Sequence, residues 1–238
     1  SRPSRFRRTV GAVNMVSIDE ARRRVYHSDG LGKFLDVIDA NGNWVESLQV
    51  GNVPVAFAEN AGDFFLTMIG TFTPSDIPRG ELALLRRENG AFVQKKTVLP
   101  NIPRPTHTNF ADLNADGRTD LIVSMYGNNI GRLSWFEKQA DGGYTERILL
   151  PRSGTLSTAV YDFNGDGHPD IAALVAQEVE AMHLFINDGN GVFTPRIVFQ
   201  GHPLFGHSSF EMTDFDGDKR PDFVVTTGDN GEYPSPPK

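Results

Sequence analysis

The chain has 238 residues, a formal net charge of −7 and 39% apolar residues. No apolar run approaches the roughly 18 residues of a membrane-spanning helix, and the acidic balance runs against nucleic acid, whose binding rests on clustered Lys and Arg. There are no cysteines, which excludes disulfides and thiolate zinc sites and leaves any stapling of the fold to other groups.

Residues 1–9 carry Arg2, Arg5, Arg7 and Arg8 with no apolar segment behind them, so they read as a solvated arm or a processed terminus. From residue 10 onward the periodicity is that of short strands, with no sustained helical repeat. Residues 13–18, 24–27, 33–38 and 44–50 make one group of four. Asp39-Ala-Asn-Gly-Asn43 imitates a metal loop but has Ser47 where a later acid belongs, so it is expected to be a hairpin turn. A second group is 53–58 and 64–69 around the turn 60–63, then 81–87 and 91–99 around Glu88-Asn-Gly90. Asn-Gly and Asp-Gly pairs between apolar runs are hairpin signals.

The remainder contains a repeat. Asp112-Leu-Asn-Ala-Asp-Gly-Arg-Thr-Asp120, Asp162-Phe-Asn-Gly-Asp-Gly-His-Pro-Asp170 and Asp214-Phe-Asp-Gly-Asp-Lys-Arg-Pro-Asp222 align without gaps, with starts 50 and 52 residues apart. A continuous apolar run follows each loop. After the first and second loops comes a hairpin, turning at Asp141-Gly-Gly143 and Asn187-Asp-Gly-Asn-Gly191. Four antiparallel strands in each unit of about 40 to 50 residues predict an all-β propeller. The expected blades are 10–51, 52–100, 104–151, 155–201 and a partial fifth at 205–238. An open arc of four and a half blades exposes sheet edges, so further blades from the same or another chain are expected, unless the N-terminal residues supply the missing strands.

The loops have calcium chemistry. Hard oxygen donors at positions 1, 3 and 5 converge on one centre, position 6 turns the chain, position 7 offers its carbonyl, and an acid closes the set at position 9. The candidate ligands are Asp112, Asn114, Asp116, Arg118 (carbonyl) and Asp120. The second set is Asp162, Asn164, Asp166, His168 (carbonyl) and Asp170, and the third is Asp214, Asp216, Asp218, Arg220 (carbonyl) and Asp222. About three Ca²⁺ ions are expected. The apolar residues at position 2, Leu113, Phe163 and Phe215, are expected to tuck into the blade core. Lys219 stands where the other two loops have glycine, and a positive φ there costs on the order of 1 kcal/mol.

These residues resemble the FG-GAP/VCBS repeats of integrin α-subunits, some fungal lectins and bacterial polysaccharide lyases. The resemblance implies calcium in the loop between the first and second strands of a blade, and an exported or cell-surface setting. It does not fix a function, because one fold hosts many.

Ligand sites in propellers commonly lie at the channel mouth. The candidates at the end away from the loops are Arg104, His107 and His207, together with His202, Asn128, Asn129, Asp229 and Asn230. His107 and His207 precede their loops by similar distances and are candidates to converge there as acid–base or metal-binding groups. Trp135 and Phe136 are expected in the blade core. No local catalytic motif is present. The leading expectation is a non-catalytic module for a glycan or a protein. The alternative is an enzyme domain, lyase-like or part of a larger catalytic assembly, using Arg104, His107 and His207.

Overall fold

The computed structural model describes residue 13, residues 15–177 and residues 179–228. The arm at 1–9 and the pair Asp229 and Asn230 lie outside the described residues. The described chain is all-β apart from one 3-10 turn, Pro203–Phe205. Four sheets have four antiparallel strands each in sequence order, and a fifth has two.

Blade one is β1 (Val16–Asp19), β2 (Arg24–Asp29), β3 (Phe34–Asp39) and β4 (Trp44–Gln49). Blade two is β5 (Pro54–Asn60), β6 (Asp63–Met68), β7 (Gly80–Glu88) and β8 (Ala91–Ile102). Blade three is β9 (Pro105–Ala111), β10 (Asp120–Met125), β11 (Arg132–Lys138) and β12 (Tyr144–Leu150). Blade four is β13 (Thr155–Tyr161), β14 (Asp170–Gln177), β15 (Val179–Asn187) and β16 (Phe193–Gly201). The fifth sheet is β17 (His207–Thr213) and β18 (Asp222–Thr227).

The chain divides into two compact units, one of residues up to 72 with 80–100, the other of 73–79 with 101 onward. In the first, Tyr26, Phe57, Phe64 and Phe92 interlock, with ring centroids 4.6 to 6.0 Å apart. Around them pack the buried Leu35, Val37, Leu66, Met68 and Leu85. The Asp39 turn is a hairpin turn, in which Asp39 Oδ1 accepts from the N–H groups of Asn41 and Asn43.

In the second unit, β10 and β14 are buried along their whole length, except at the last two residues of β14. Sheets covered on both faces select continuous apolar runs over alternating ones. Trp135 and Phe136 are buried as expected, with the Arg147 guanidinium 5.3 Å from the centroid of the Trp135 ring. The innermost strands of blades three and four are joined by polar side chains. Asn109 Nδ2 donates to Thr158 O (2.6 Å), and Thr106 Oγ1 donates to Thr155 O (3.1 Å).

Candidate metal centres

Each nine-residue loop joins the first and second strands of its blade and is wound around its own carboxylates. The first Asp gathers backbone N–H groups from the far side of the turn. Asp112 Oδ1 and Oδ2 accept from Asp116 N (3.1 Å) and Gly117 N (2.8 Å). Asp162 accepts from Gly165, Asp166 and Gly167, and Asp214 from Gly217 and Lys219. At position 5, Asp116, Asp166 and Asp218 each accept from the N–H two residues on, at 2.8 to 2.9 Å.

The backbone makes this possible by turning left-handed twice. Position 6 has φ 80° at Gly117, 87° at Gly167 and 69° at Lys219. Position 4 has φ 56° at Ala115, 78° at Gly165 and 81° at Gly217, a requirement the sequence pattern did not announce.

The ninth residue has a second task that sequence reasoning missed. Asp120 and Asp170 are fully buried. Asp170 Oδ2 accepts from Phe163 N (2.9 Å) inside the loop, and Oδ1 accepts from Asn187 N (2.8 Å) at the end of β15. Asp120 likewise joins Leu113 N (3.2 Å) to Lys138 N (2.7 Å) at the end of β11. Each carboxylate is therefore a strut between the loop and the outer hairpin. Asn187 extends the connection: its Nδ2 donates to Leu113 O (2.9 Å) and Pro169 O (3.1 Å), tying the first loop to the second. The sequence signal, Asn187-Asp-Gly-Asn-Gly191, predicts a turn and does not reveal this tie.

The donor set fits a hard divalent cation. Ligand oxygens of Asp214, Asp216 and Asp218 lie within 4.8 Å of one another. Burial pushes the Asp120 carboxyl up, opposed by the N–H groups of Lys138 and Leu113 and reinforced by the nearby Asp116 charge. A cation offsets such a cost. Each carboxylate oxygen has two acceptor directions, so one N–H bond leaves room for an ion. At position 7, Arg118 and Arg220 fold their guanidinium groups onto Asp116 and Asp218, which leaves the carbonyl as the expected ligand. The His168 ring lies against Gly189 of the neighbouring turn.

The expected burial of position 2 needs correction. Leu113 is fully buried and Phe163 packs on Phe223 (5.7 Å), but Phe215 is 65% exposed. Leu113 and Phe163 are covered in part by the sheet that follows theirs, and among the described residues no sheet follows that of Phe215.

This architecture recurs in known proteins. The FG-GAP-like repeat profile matches residues 112–173 and 162–225. The chain carries FG-GAP-like repeats. A T-cell immunomodulatory protein homolog from Plasmodium falciparum is 33% identical over 85 residues, 32% of this chain and 12% of that protein. The chain therefore spans only a small part of that curated relative. Hydrazine synthase from Kuenenia stuttgartiensis aligns over 97% of this chain and 60% of its own, with TM-score 0.60 and 12% identity. A gluconolactonase from Xanthomonas campestris aligns over 91% and 69%, with TM-score 0.57 and 14% identity. At these identities the likeness is one of fold, and the fold is the β-propeller.

At the other end of the inner strands of the FG-GAP-like blades, a left-handed residue precedes each first strand: Arg104 (φ 44°), Gly154 (φ 100°) and Gly206 (φ 56°). Their carbonyls accept from Tyr126, Ala176 and Gly228 N–H at 2.8 to 3.0 Å. Arg104 is buried, and that burial pulls its guanidinium below its ordinary range.

His107 and His207 hold different places. His107 pairs with Ser124, whereas His207 pairs with Thr227, whose counterpart Met125 pairs with Pro105. His107 Nδ1 accepts from Thr158 N (3.3 Å), and desolvation lowers its pKa to about 4. His207 sits by Phe199 and Phe205, and its N–H donates to Glu180 Oε2 (2.8 Å). His202 Nδ1 caps the 3-10 turn by accepting from Leu204 N (3.1 Å). Asn129 donates twice to Asp76, and Asn128 O accepts from Gln177 Nε2.

Proposed function

We propose that this chain is a calcium-stabilised propeller module that binds a glycan or a protein partner in an exported setting. The observation that carries the reading is the loop framework repeated three times, with acid and amide oxygens at positions 1, 3 and 5 and an acid at position 9. Calcium bound there would neutralise clustered carboxylates and cross-link the inner hairpins, a task disulfides perform elsewhere. Asp112, Asn114, Asp116 and Asp120 would hold one ion, and the corresponding residues of the other loops the rest. Loops of this kind stay filled where calcium is abundant, since extracellular modules bind it with dissociation constants of about 10⁻⁴ to 10⁻³ M. That supports the exported setting. The opposite end favours binding over catalysis. His107 Nδ1 accepts from the Thr158 backbone N–H, His202 caps a turn, and His207 packs between aromatic rings, so the three imidazoles are engaged in structural contacts.

Calcium titration calorimetry and melting curves test the calcium. At free calcium of 100 times the dissociation constant, each filled loop adds about 2.7 kcal/mol. Identical melting curves in calcium and in excess chelator would sink the reading. A glycan array, followed by cross-linking to surface proteins, separates the two partner classes.

A further inference from the structure

We propose that Glu137, near the end of β11, is a positioning residue for the first calcium site, fixing the side-chain amide of Asn114 so that Oδ1 and not Nδ2 serves the ion. The inference rests on the calcium reading above. It adds to the first site a residue from outside the nine-residue loop.

Position 3 poses the problem. A carboxylate offers two equivalent oxygens, whereas an amide offers an oxygen on one side and a pair of N–H donors on the other. Only the oxygen can meet a cation, so the amide must be oriented. In the first loop, Asn114 Nδ2 donates to Glu137 Oε1 (3.1 Å), while Oδ1 accepts from Asp116 N (3.3 Å) inside the loop. An ionised carboxylate can only accept, so Glu137 selects Nδ2 and draws it onto the neighbouring strand. Glu137 is itself held. Its side chain is 13% exposed, and its Oε2 accepts from Arg147 Nε (2.5 Å), whose guanidinium lies over the Trp135 ring. Arg147 balances the charge of Glu137, so what the pair supplies to the loop is orientation.

The other two loops provide the contrast. Lys138 and Asn187 both donate N–H to the ninth residue of their loops, so Glu137 corresponds to Ile186, whose side chain has no acceptor. Asn164 Nδ2 donates instead to Asp166 Oδ2 (2.7 Å), a candidate ligand of its own loop. The third loop has Asp216 at position 3, where either oxygen serves. Glu137 therefore acts on the first loop alone, and the chain carries its own controls.

The test is a calcium titration of the whole chain followed by NMR. The position 6 amides of Gly117, Gly167 and Lys219 report the three loops separately. Removing a group that holds a metal ligand in place typically costs about 10- to 100-fold in affinity. Glu137→Leu keeps the bulk and loses the acceptor. It is expected to weaken calcium about tenfold at Gly117 and to leave Gly167 and Lys219 unchanged. Glu137→Gln still accepts from Asn114 through its amide oxygen and should recover the affinity to within about threefold. In an Asn114→Asp chain, where no orientation is needed, Glu137→Leu should bring no loss at Gly117. Unchanged affinity at Gly117 in Glu137→Leu overturns the proposal. So does equal weakening at all three amides, which would make Glu137 a general support of the fold. A Gln variant as weak as the Leu variant overturns it too, by assigning the effect to charge. A wild-type chain whose three amides all ignore calcium gives a different result, which sinks the calcium reading and the inference with it.

Discussion

Blades two and four solve one problem, closing the inner hairpin, by opposite means. Blade two uses the shortest connection. Ala61 (φ 51°) and Gly62 (φ 82°) turn the chain between β5 and β6 with no carboxylate inside the turn, and the sheet is held by rings on its faces. Blade four uses a long acidic loop whose buried Asp170 is bonded to both the loop and the outer hairpin. A turn that places no charge inside the fold needs no cation. A loop that buries a carboxylate depends on backbone donors, and on an ion where one is bound, to offset the desolvation. On the calcium-bound reading proposed above, the stability of the first two blades is expected not to depend on metal, and that of the FG-GAP-like blades to depend on it.

The comparison breaks most visibly with two core substitutions. Phe64→Ala removes a ring in contact with Phe57 and Phe92 and is expected to cost about 3 to 5 kcal/mol, equally in calcium and in chelator. Asp170→Ala strands the N–H groups of Phe163 and Asn187 and is expected to cost a similar amount, about 3 to 5 kcal/mol from two bonds to a charged acceptor. Urea melts separate the two. The Asp170→Ala penalty should persist in chelator, because the strut is made of protein hydrogen bonds, and should grow in calcium. A penalty that vanishes in chelator would mean that Asp170 acts only as a metal ligand.

Much of this was legible in the sequence, and the limits are instructive. Strands and turns showed because Asp-Gly and Asn-Gly pairs punctuate apolar runs, and the loops because three copies align. The strut function of Asp120 and Asp170 was invisible, since its partners Lys138 and Asn187 lie 17 or 18 residues on and contribute only backbone N–H groups. The exposure of Phe215 is not legible in its loop, because burial at that position depends on the neighbouring sheet, as the packing of Phe163 on Phe223 shows. His107 and His207 precede their loops by five and seven residues, and because both inner strands shift register at the same place, that two-residue difference sets His107 opposite Ser124 but His207 opposite Thr227, the counterpart of Met125.

A smaller effect distinguishes the units by pH. His107 is held neutral in the fold, with its pKa lowered to about 4, whereas an unfolded histidine titrates near 6.5. The unfolded state therefore takes up a proton first as pH falls. Stability is complete above about pH 6.5 and declines toward pH 4. Between about pH 7 and pH 4.5 the loss assigned to this group is on the order of 2 kcal/mol. His107→Asn keeps an acceptor for Thr158 N–H without the titration, so its stability should fall less over that range. Parallel pH profiles for the two proteins would remove His107 from the account.

The smallest expected effect lies within the third loop and has a definite sign. Lys219 adopts φ 69° where the other loops place glycine. A side chain in that region costs about 1 to 2 kcal/mol, and glycine returns roughly 0.5 to 1 kcal/mol through the greater freedom of the unfolded chain. Lys219→Gly should therefore stabilise the chain by about 0.5 kcal/mol. It also removes a positive charge next to Asp218, which should tighten calcium at this loop. A matched glycine-to-alanine change at Gly167 should act in the opposite direction, destabilising the loop with no change of charge. Calorimetry on the pair separates strain from electrostatics: if Lys219→Gly tightens calcium while Gly167→Ala leaves its affinity unchanged, the charge is the cause, and if both affinities follow stability, the backbone is.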